Sequence, residues 1–293
     1  MQRVLITGAT GFLGSHLVKH FLSKNYEVDI LKRSTSNSLR LNNELSFCRV
    51  FNIDKTSLSE IFIESKPNVV IHTICNYGRK GSNLSELINT NVLLGVQILE
   101  EAIKNSASTF INTDTLLPYH INDYSLSKGQ FASWLKTRSH LVDIVNFRIE
   151  HMYGPLDDSN KFINWLITNM LDAEVKSIDL TSGVQKRDFI YIDDVVAAFE
   201  LVIKKNSQLK GWNELDLATQ NFTSVRDFIL EISKELEHSK KIEIKSKLNF
   251  GALQYRKGEV MEPILNNSIL QELGWLPRYS VQKGIQKTLK NFK

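Results

Sequence analysis

Along the first half of the chain, short apolar runs alternate with amphipathic stretches. Residues 4–7 read as a strand, the next stretch puts Leu13, Leu17, Val18, Phe21 and Leu22 on one helical face, and residues 28–31 read as a second strand. The rhythm continues through strands at 47–51, 69–72, 110–112 and 144–147 with helices between them. One of these helices, over 84–104, carries Leu87, Asn91, Leu94 and Ile98 at helical spacing. Strands that alternate with helices in this way specify a parallel sheet covered on both faces. The expected fold is therefore α/β, a doubly wound sheet of six or seven strands whose ligands bind beyond the carboxyl ends of the strands.

The rhythm breaks at Tyr153, Gly154 and Pro155, after which isolated helices mix with short strands. A helix expected over 193–205 returns to the sheet, so the two parts interleave in sequence. The expected division gives residues 1–152, with about 187–218, to a nucleotide-binding domain, and 153–186 with 219–293 to a smaller mixed α/β lobe. A chain of 293 residues, 42% hydrophobic and 23% charged, is large enough to bury both cores. Its formal charge of +4 comes from scattered lysines, which suits small anionic ligands and gives no case for nucleic acid. Cys48 and Cys75 are too few for a disulfide framework or a zinc site, and no run approaches the roughly 18 apolar residues that would span a bilayer. A cytoplasmic protein with no membrane partner and no metal is expected.

The first candidate chemistry is the turn TGATGFLG between the first strand and the first helix. Gly8, Gly11 and Gly14 let backbone approach a pyrophosphate, and the helix start, with Phe12 and Leu13, offers N–H groups to it. The G-x-x-G-x-x-G spacing resembles the short-chain dehydrogenase/reductase superfamily, with a Rossmann sheet. At the tip of the second strand an acid would bind a ribose 2′-hydroxyl, but this chain has Lys32 and Arg33 there, followed by Ser34 and Ser36. Cations suit a 2′-phosphate, so NADP(H) is the expected cofactor and NAD the second choice. Asp29 lies within the strand and reads as a solvated or edge residue.

The second candidate is YSLSK, in which Tyr124 and Lys128 stand one helical turn apart. An ammonium there favours phenolate and lowers the phenol's pKa, which suits proton transfer at neutral pH. Thr113 ends the preceding strand and offers a hydroxyl for a substrate carbonyl, with Thr115 as a fallback. Tyr279 and Lys283 have the same spacing but lie far from the sheet-building half, and read as a decoy.

These segments, together with VVIHTIC, NTNVLLGVQILEEA, FINTD, FRIEHMYGP, QKRDFIYIDDVVAA, NFGALQYRKGE and LGWLP, resemble the extended short-chain dehydrogenase/reductases, the NAD-dependent epimerase/dehydratase family. The resemblance covers nearly the whole chain. It implies Thr113, Tyr124 and Lys128 as the catalytic triad, Asn91 and Thr73 beside the cofactor, and Arg187 and Arg256 on the phosphates or ribose of a nucleotide sugar. Dehydratases of the family have threonine, aspartate and glutamate where this chain has Thr113, Asp114 and Thr115. A threonine cannot serve as a base at neutral pH, which disfavours dehydration. The resemblance points instead to NADPH-dependent reduction of the C4 ketone of a CDP-linked 4-keto-6-deoxyhexose. Tyr77, Asp114, Thr115, His151 and Lys161 are then expected near the substrate. An epimerase retaining NAD is the nearest alternative, and a non-catalytic NAD(P)-sensing protein is one of another class. Helices over 84–104 and 124–138 resemble those that pair in family homodimers.

Overall fold

A computed structural model describes residues 2–79 and 81–292. In chain order the first elements are β1 (Arg3–Thr7), α1 (Phe12–Ser23), β2 (Glu27–Lys32), β3 (Arg49–Asn52), α2 (Leu58–Ser65) and β4 (Val69–His72). There follow α3 (Leu84–Ile88), α4 (Leu94–Lys104), β5 (Thr109–Thr115), α5 (Asp123–Arg138), β6 (Asp143–Ile149), β7 (His151–Tyr153), α6 (Phe162–Leu171), β8 (Ser177–Leu180) and β9 (Lys186–Tyr191). The chain ends with α7 (Ile192–Lys204), β10 (Trp212–Leu217), β11 (Phe222–Ser224), α8 (Val225–Lys240), β12 (Lys247–Phe250), α9 (Ser268–Glu272) and α10 (Val281–Leu289).

Seven strands form one sheet in the order β3-β2-β1-β4-β5-β6-β10. Every pairing in it is parallel, which requires a crossover between neighbours and places helices on the faces. Strand order reverses between β1 and β4, so the loops after these two strands diverge and leave a crevice at their carboxyl ends. The strand interiors are near-continuous Val, Leu, Ile and Phe because both faces are covered. Phe110 of β5 meets Phe131 of α5 edge-on, and Phe147 of β6 lies against Phe199 of α7, confirming that α7 returns to the sheet.

The chain divides into two compact units, 1–149 with 196–217 and 269–275, and 150–195 with 218–268 and 276–293. Residues 187–195 thus fall in the second unit, where the sequence reading had placed them with the first. The reason is pairing: β9 hydrogen-bonds to β7 on one side and β11 on the other, in a separate three-stranded sheet. That unit has its own aromatic core, in which Phe189 stacks on Phe228 with ring centroids 3.7 Å apart. Tyr153 donates to the Val281 carbonyl at 3.0 Å and lies so close to α10 that a Cβ on Gly284 would sit 2.1 Å from its hydroxyl.

The helix expected over 84–104 is present but not uniform. α3 and α4 are joined by a π-type turn over Asn89–Leu93, which inserts one residue per turn and re-aims the side chains around Asn91. Asp29 also differs from expectation. It is 1% exposed, accepts from Arg49 Nε at 2.9 Å and from Ser65 Oγ at 2.6 Å, and so is a paired buried charge rather than a solvated one. Among the described residues no helix is long and apolar enough to cross a membrane.

Candidate active site

The glycine-rich turn follows β1 at the point where strand order reverses. Gly8 has φ +67°, and a Cβ there would lie 2.7 Å from Thr73 Oγ1. Gly14 tolerates a side chain still less, because its Cβ would stand 2.2 Å from the Gly8 carbonyl oxygen. Gly11 caps α1 with extended backbone and donates to that same carbonyl at 2.9 Å. Phe12 and Leu13 bury their side chains in the core, so only their backbone can face a ligand. Thr73 ties the loops together, its hydroxyl donating to the Thr7 carbonyl at 2.7 Å. The result is a tight backbone cradle at a helix N-terminus, which fits the pyrophosphate of a dinucleotide.

At the tip of β2, Lys32 donates to the Arg33 carbonyl and Arg33 is exposed. Ser34 is not open to a ligand as expected: its backbone N–H donates to Asp54 Oδ1 at 2.7 Å, and its hydroxyl bonds the same carboxylate. Asp54 went unnoticed in the sequence because it arrives from the loop after β3, twenty residues on. Those bonds hold its carboxyl below the usual range. A further cation, Arg40, reaches the turn itself through its bond to the Thr10 carbonyl at 3.3 Å. Beside Lys32 in register stands Asn52, whose Oδ1 is buried with no partner among the described residues. Such an orphaned acceptor wants an N–H donor, which an adenine amino group would supply.

Tyr124 and Lys128 are set by the start of α5. Asn122 caps the helix, accepting from Ser125 N at 2.8 Å while Ser125 Oγ accepts from Asn122 N, so Tyr124 stands in the first turn and Lys128 one turn later. Lys128 is 2% exposed, and its ammonium has no hydrogen bond or ion pair to any described residue. A buried unpaired charge is costly, and the hydroxyls of a cofactor ribose fit its three donors.

The tyrosine's acidity departs from expectation. Burial, first, and then Cys75 and Asp114 push the Tyr124 phenol well above its ordinary pKa, and the cation that opposes them is Arg79 rather than Lys128. The charge of Lys128 is felt instead at His72, whose pKa burial and then Lys128 depress to about 3. Tyr77 lies against Tyr124 with ring centroids 5.0 Å apart, and the Arg79 guanidinium lies over Tyr77 at 5.5 Å. Arg79 was missed, although its nearness to Tyr77 in the sequence was a signal.

Thr113 donates to the His72 carbonyl at 3.1 Å and is half-buried. Thr115 is buried and accepts from Leu117 N, so its hydroxyl shapes the turn after β5 rather than standing ready as a fallback. Asp114 is likewise held in the sheet, accepting from Thr115 N at 2.7 Å and from Asn146 across the strands at 3.0 Å. Asn91 was expected beside the cofactor, and its amide bonds to the protein through both N–H donors and its oxygen. It accepts from Asn76 N at 2.6 Å and donates to Asn76 O at 2.8 Å and Ser127 Oγ at 2.9 Å. It therefore clamps the loop after β4 to α5.

The second unit holds the remaining candidates. Arg187 is buried, donating to the Lys186 and Val260 carbonyls and pairing with Glu259, while Arg256 is exposed in the same loop. Lys161 precedes α6 and pairs with Asp157 at 3.2 Å, and His151 pairs with Glu150. The decoy phenol Tyr279 accepts from Lys287 at 2.8 Å, a partner other than Lys283. No group of three or more potential metal ligands occurs among the described residues.

Comparison with known proteins sharpens this picture. CDP-abequose synthase of Salmonella muenchen is 32% identical over 301 aligned positions, covering 98% of this chain and 97% of that protein. The CDP-abequose synthase of Salmonella typhimurium is 31% identical, covering 99% and 98%. UDP-glucose 4-epimerase of Thermotoga maritima, solved with UDP-glucose, superposes with a TM-score of 0.84 at 24% identity, covering 99% of this chain and 98% of that one. The model of the NAD dependent epimerase/dehydratase family matches residues 4–213. With the glycine cradle, the Tyr124–Lys128 helix start and the reversal of strand order all inside that match, the chain belongs to the NAD dependent epimerase/dehydratase family.

Proposed function

We propose that this enzyme reduces the C4 ketone of a nucleotide-linked 4-keto-6-deoxyhexose with NADPH, in deoxysugar biosynthesis, and that the nucleotide is CDP. The observation that carries the reading is the full-length similarity to the CDP-abequose synthases; the Tyr124–Lys128 pair at the start of α5 and the glycine turn after β1 support it. The run Thr113, Asp114, Thr115 supports reduction over dehydration, because no second carboxylate stands there to act as base.

The cofactor, when bound, supplies the hydride. Tyr124 donates its proton to the alkoxide that forms at C4, and Thr113 turns its hydroxyl from the His72 carbonyl to the same oxygen. Lys128 holds the nicotinamide ribose. Gly8, Gly11 and Gly14 admit the pyrophosphate, and Lys32, Arg33 and Arg40 meet the adenosine 2′-phosphate against the single opposing carboxylate of Asp54. Arg187 and Arg256 take the substrate diphosphate, for which Arg187 exchanges Glu259. Tyr77, His151 and Lys161 contact the nucleotide sugar. Exposed Leu93 on the turn before α4, with Leu126 and Trp134 on α5, suits a homodimer through these elements.

A panel of CDP-, dTDP-, UDP- and GDP-linked 4-keto-6-deoxy sugars, with NADPH oxidation followed optically, tests the reading. Stoichiometric oxidation with the CDP sugar is expected. An epimerase is the second reading, favoured by the acid at the tip of the cofactor site, Asp54. It predicts that NAD co-purifies and that no NADPH is consumed.

A further inference from the structure

The loop after β4 brings an arginine to the proton donor. Asn76 starts it, held by Asn91 on both its backbone N–H and its carbonyl, and turns it by accepting from Gly78 N at 2.9 Å. Gly78 has φ +66°, a conformation that reverses the chain and sets Tyr77 and Arg79 on the same side. The Tyr77 ring rests on Tyr124, and the Arg79 guanidinium rests on Tyr77. Arg79 is exposed, and its guanidinium makes no hydrogen bond or ion pair to any described residue. It packs on the Tyr77 ring face, 5.5 Å from the centroid.

We propose that Arg79 is a positioning residue for Tyr124, its guanidinium supplying a second positive charge beside the phenol through the Tyr77 ring on which it stacks. The inference rests on Tyr124 as the proton donor. The charged and titratable groups around that phenol are Cys75, Tyr77 and Arg79 from the loop after β4, Asp114 from β5, and Asp123 and Lys128 from its own helix. Two of these, Cys75 and Asp114, oppose the phenolate, and Arg79 favours it. Lys128 stands one helical turn away and its charge is felt at His72, so Arg79 is the cation that the loop after β4 brings to the phenol. The exposed position makes the charge of Arg79 sensitive to salt.

The test is an ultraviolet titration of tyrosinate in the binary complex with NADP⁺, taking wild type minus Tyr124→Phe to isolate the Tyr124 signal. Arg79→Met should move that ionisation about one pH unit higher, and Arg79→Lys should restore it. Tyr77→Ala should reproduce the Arg79→Met shift, because the platform is lost. A merely structural arginine would leave the ionisation where it is in Arg79→Met, and that result overturns the inference. So would a shift that Arg79→Lys fails to reverse. The titration needs no sugar, so its failure is distinct from failure of the reductase reading, which the substrate panel decides.

Discussion

The ammonium of Lys128 and the buried imidazole of His72 are linked, because the charge of one keeps the other neutral. His72 is enclosed in the sheet, with Nδ1 3.0 Å from Thr7 Oγ1 and Nε2 without a partner among the described residues, and an ammonium nearby makes a second positive charge there unfavourable. The native imidazole therefore refuses a proton until about pH 3, whereas the unfolded one accepts it near 6.5. Below 6.5 the unfolded state binds more protons, so stability falls as pH drops towards 3. His72→Asn should remove that part of the slope in denaturant unfolding measured across this range. For Tyr124 the expectation is chemical: Tyr124→Phe should lower kcat by about 10²–10⁴ while NADPH binding, read by fluorescence, is retained. Asn91 and Asp114 show why residue type alone misleads, since each is polar and near the site yet spends its atoms on the protein.

At the scale of elements, the turn between β1 and α1 works because three positions lack a Cβ. Gly14→Ala would press a methyl group against the backbone of Gly8 and Ala9, which cannot give way as a side chain could, so the helix itself must shift. The cost should be about 1–3 kcal/mol in chemical unfolding, with dinucleotide binding weakened as well. The π-type turn between α3 and α4 has a comparable role. By re-aiming Asn91 it lets one amide grip both Asn76 and Ser127, and so links the Tyr77–Arg79 loop to the helix that carries Tyr124 and Lys128. A uniform helix would carry the same residues on a different face.

For the whole molecule, the two units divide the proposed work: the seven-stranded unit carries the cofactor cradle and proton donor, and the second carries Arg187 and Arg256. A ligand that binds only the native fold stabilises by about 2.7 kcal/mol at a hundredfold excess over its Kd, so thermal unfolding reports cofactor choice directly. NADPH should raise Tm more than NADH does at equal concentration. Lys32→Ala combined with Arg33→Ala should weaken NADPH by about 1.5–3 kcal/mol, roughly ten- to a hundredfold in Kd, and leave NADH unchanged. Equal shifts by the two cofactors in the unmodified protein would favour the epimerase reading, with Asp54 as the acid that selects NAD.

The order of strands and helices, the glycine cradle and the Tyr124–Lys128 spacing follow from the sequence alone, because each depends on contacts within a few residues or on a period that burial imposes. The helix expected to return to the sheet is α7, whose Phe199 lies against Phe147. What tertiary structure decided were the partners supplied from far along the chain. Asp54 takes Ser34, Arg49 buries Asp29, Glu259 pairs with Arg187, and β7 and β11 draw β9 and the start of α7 out of the first unit. The acidity of Tyr124 belongs to the same class. A neighbour at helical spacing sets where the phenol stands, but burial and the charges of the loop after β4 and of β5 set how readily it gives up its proton.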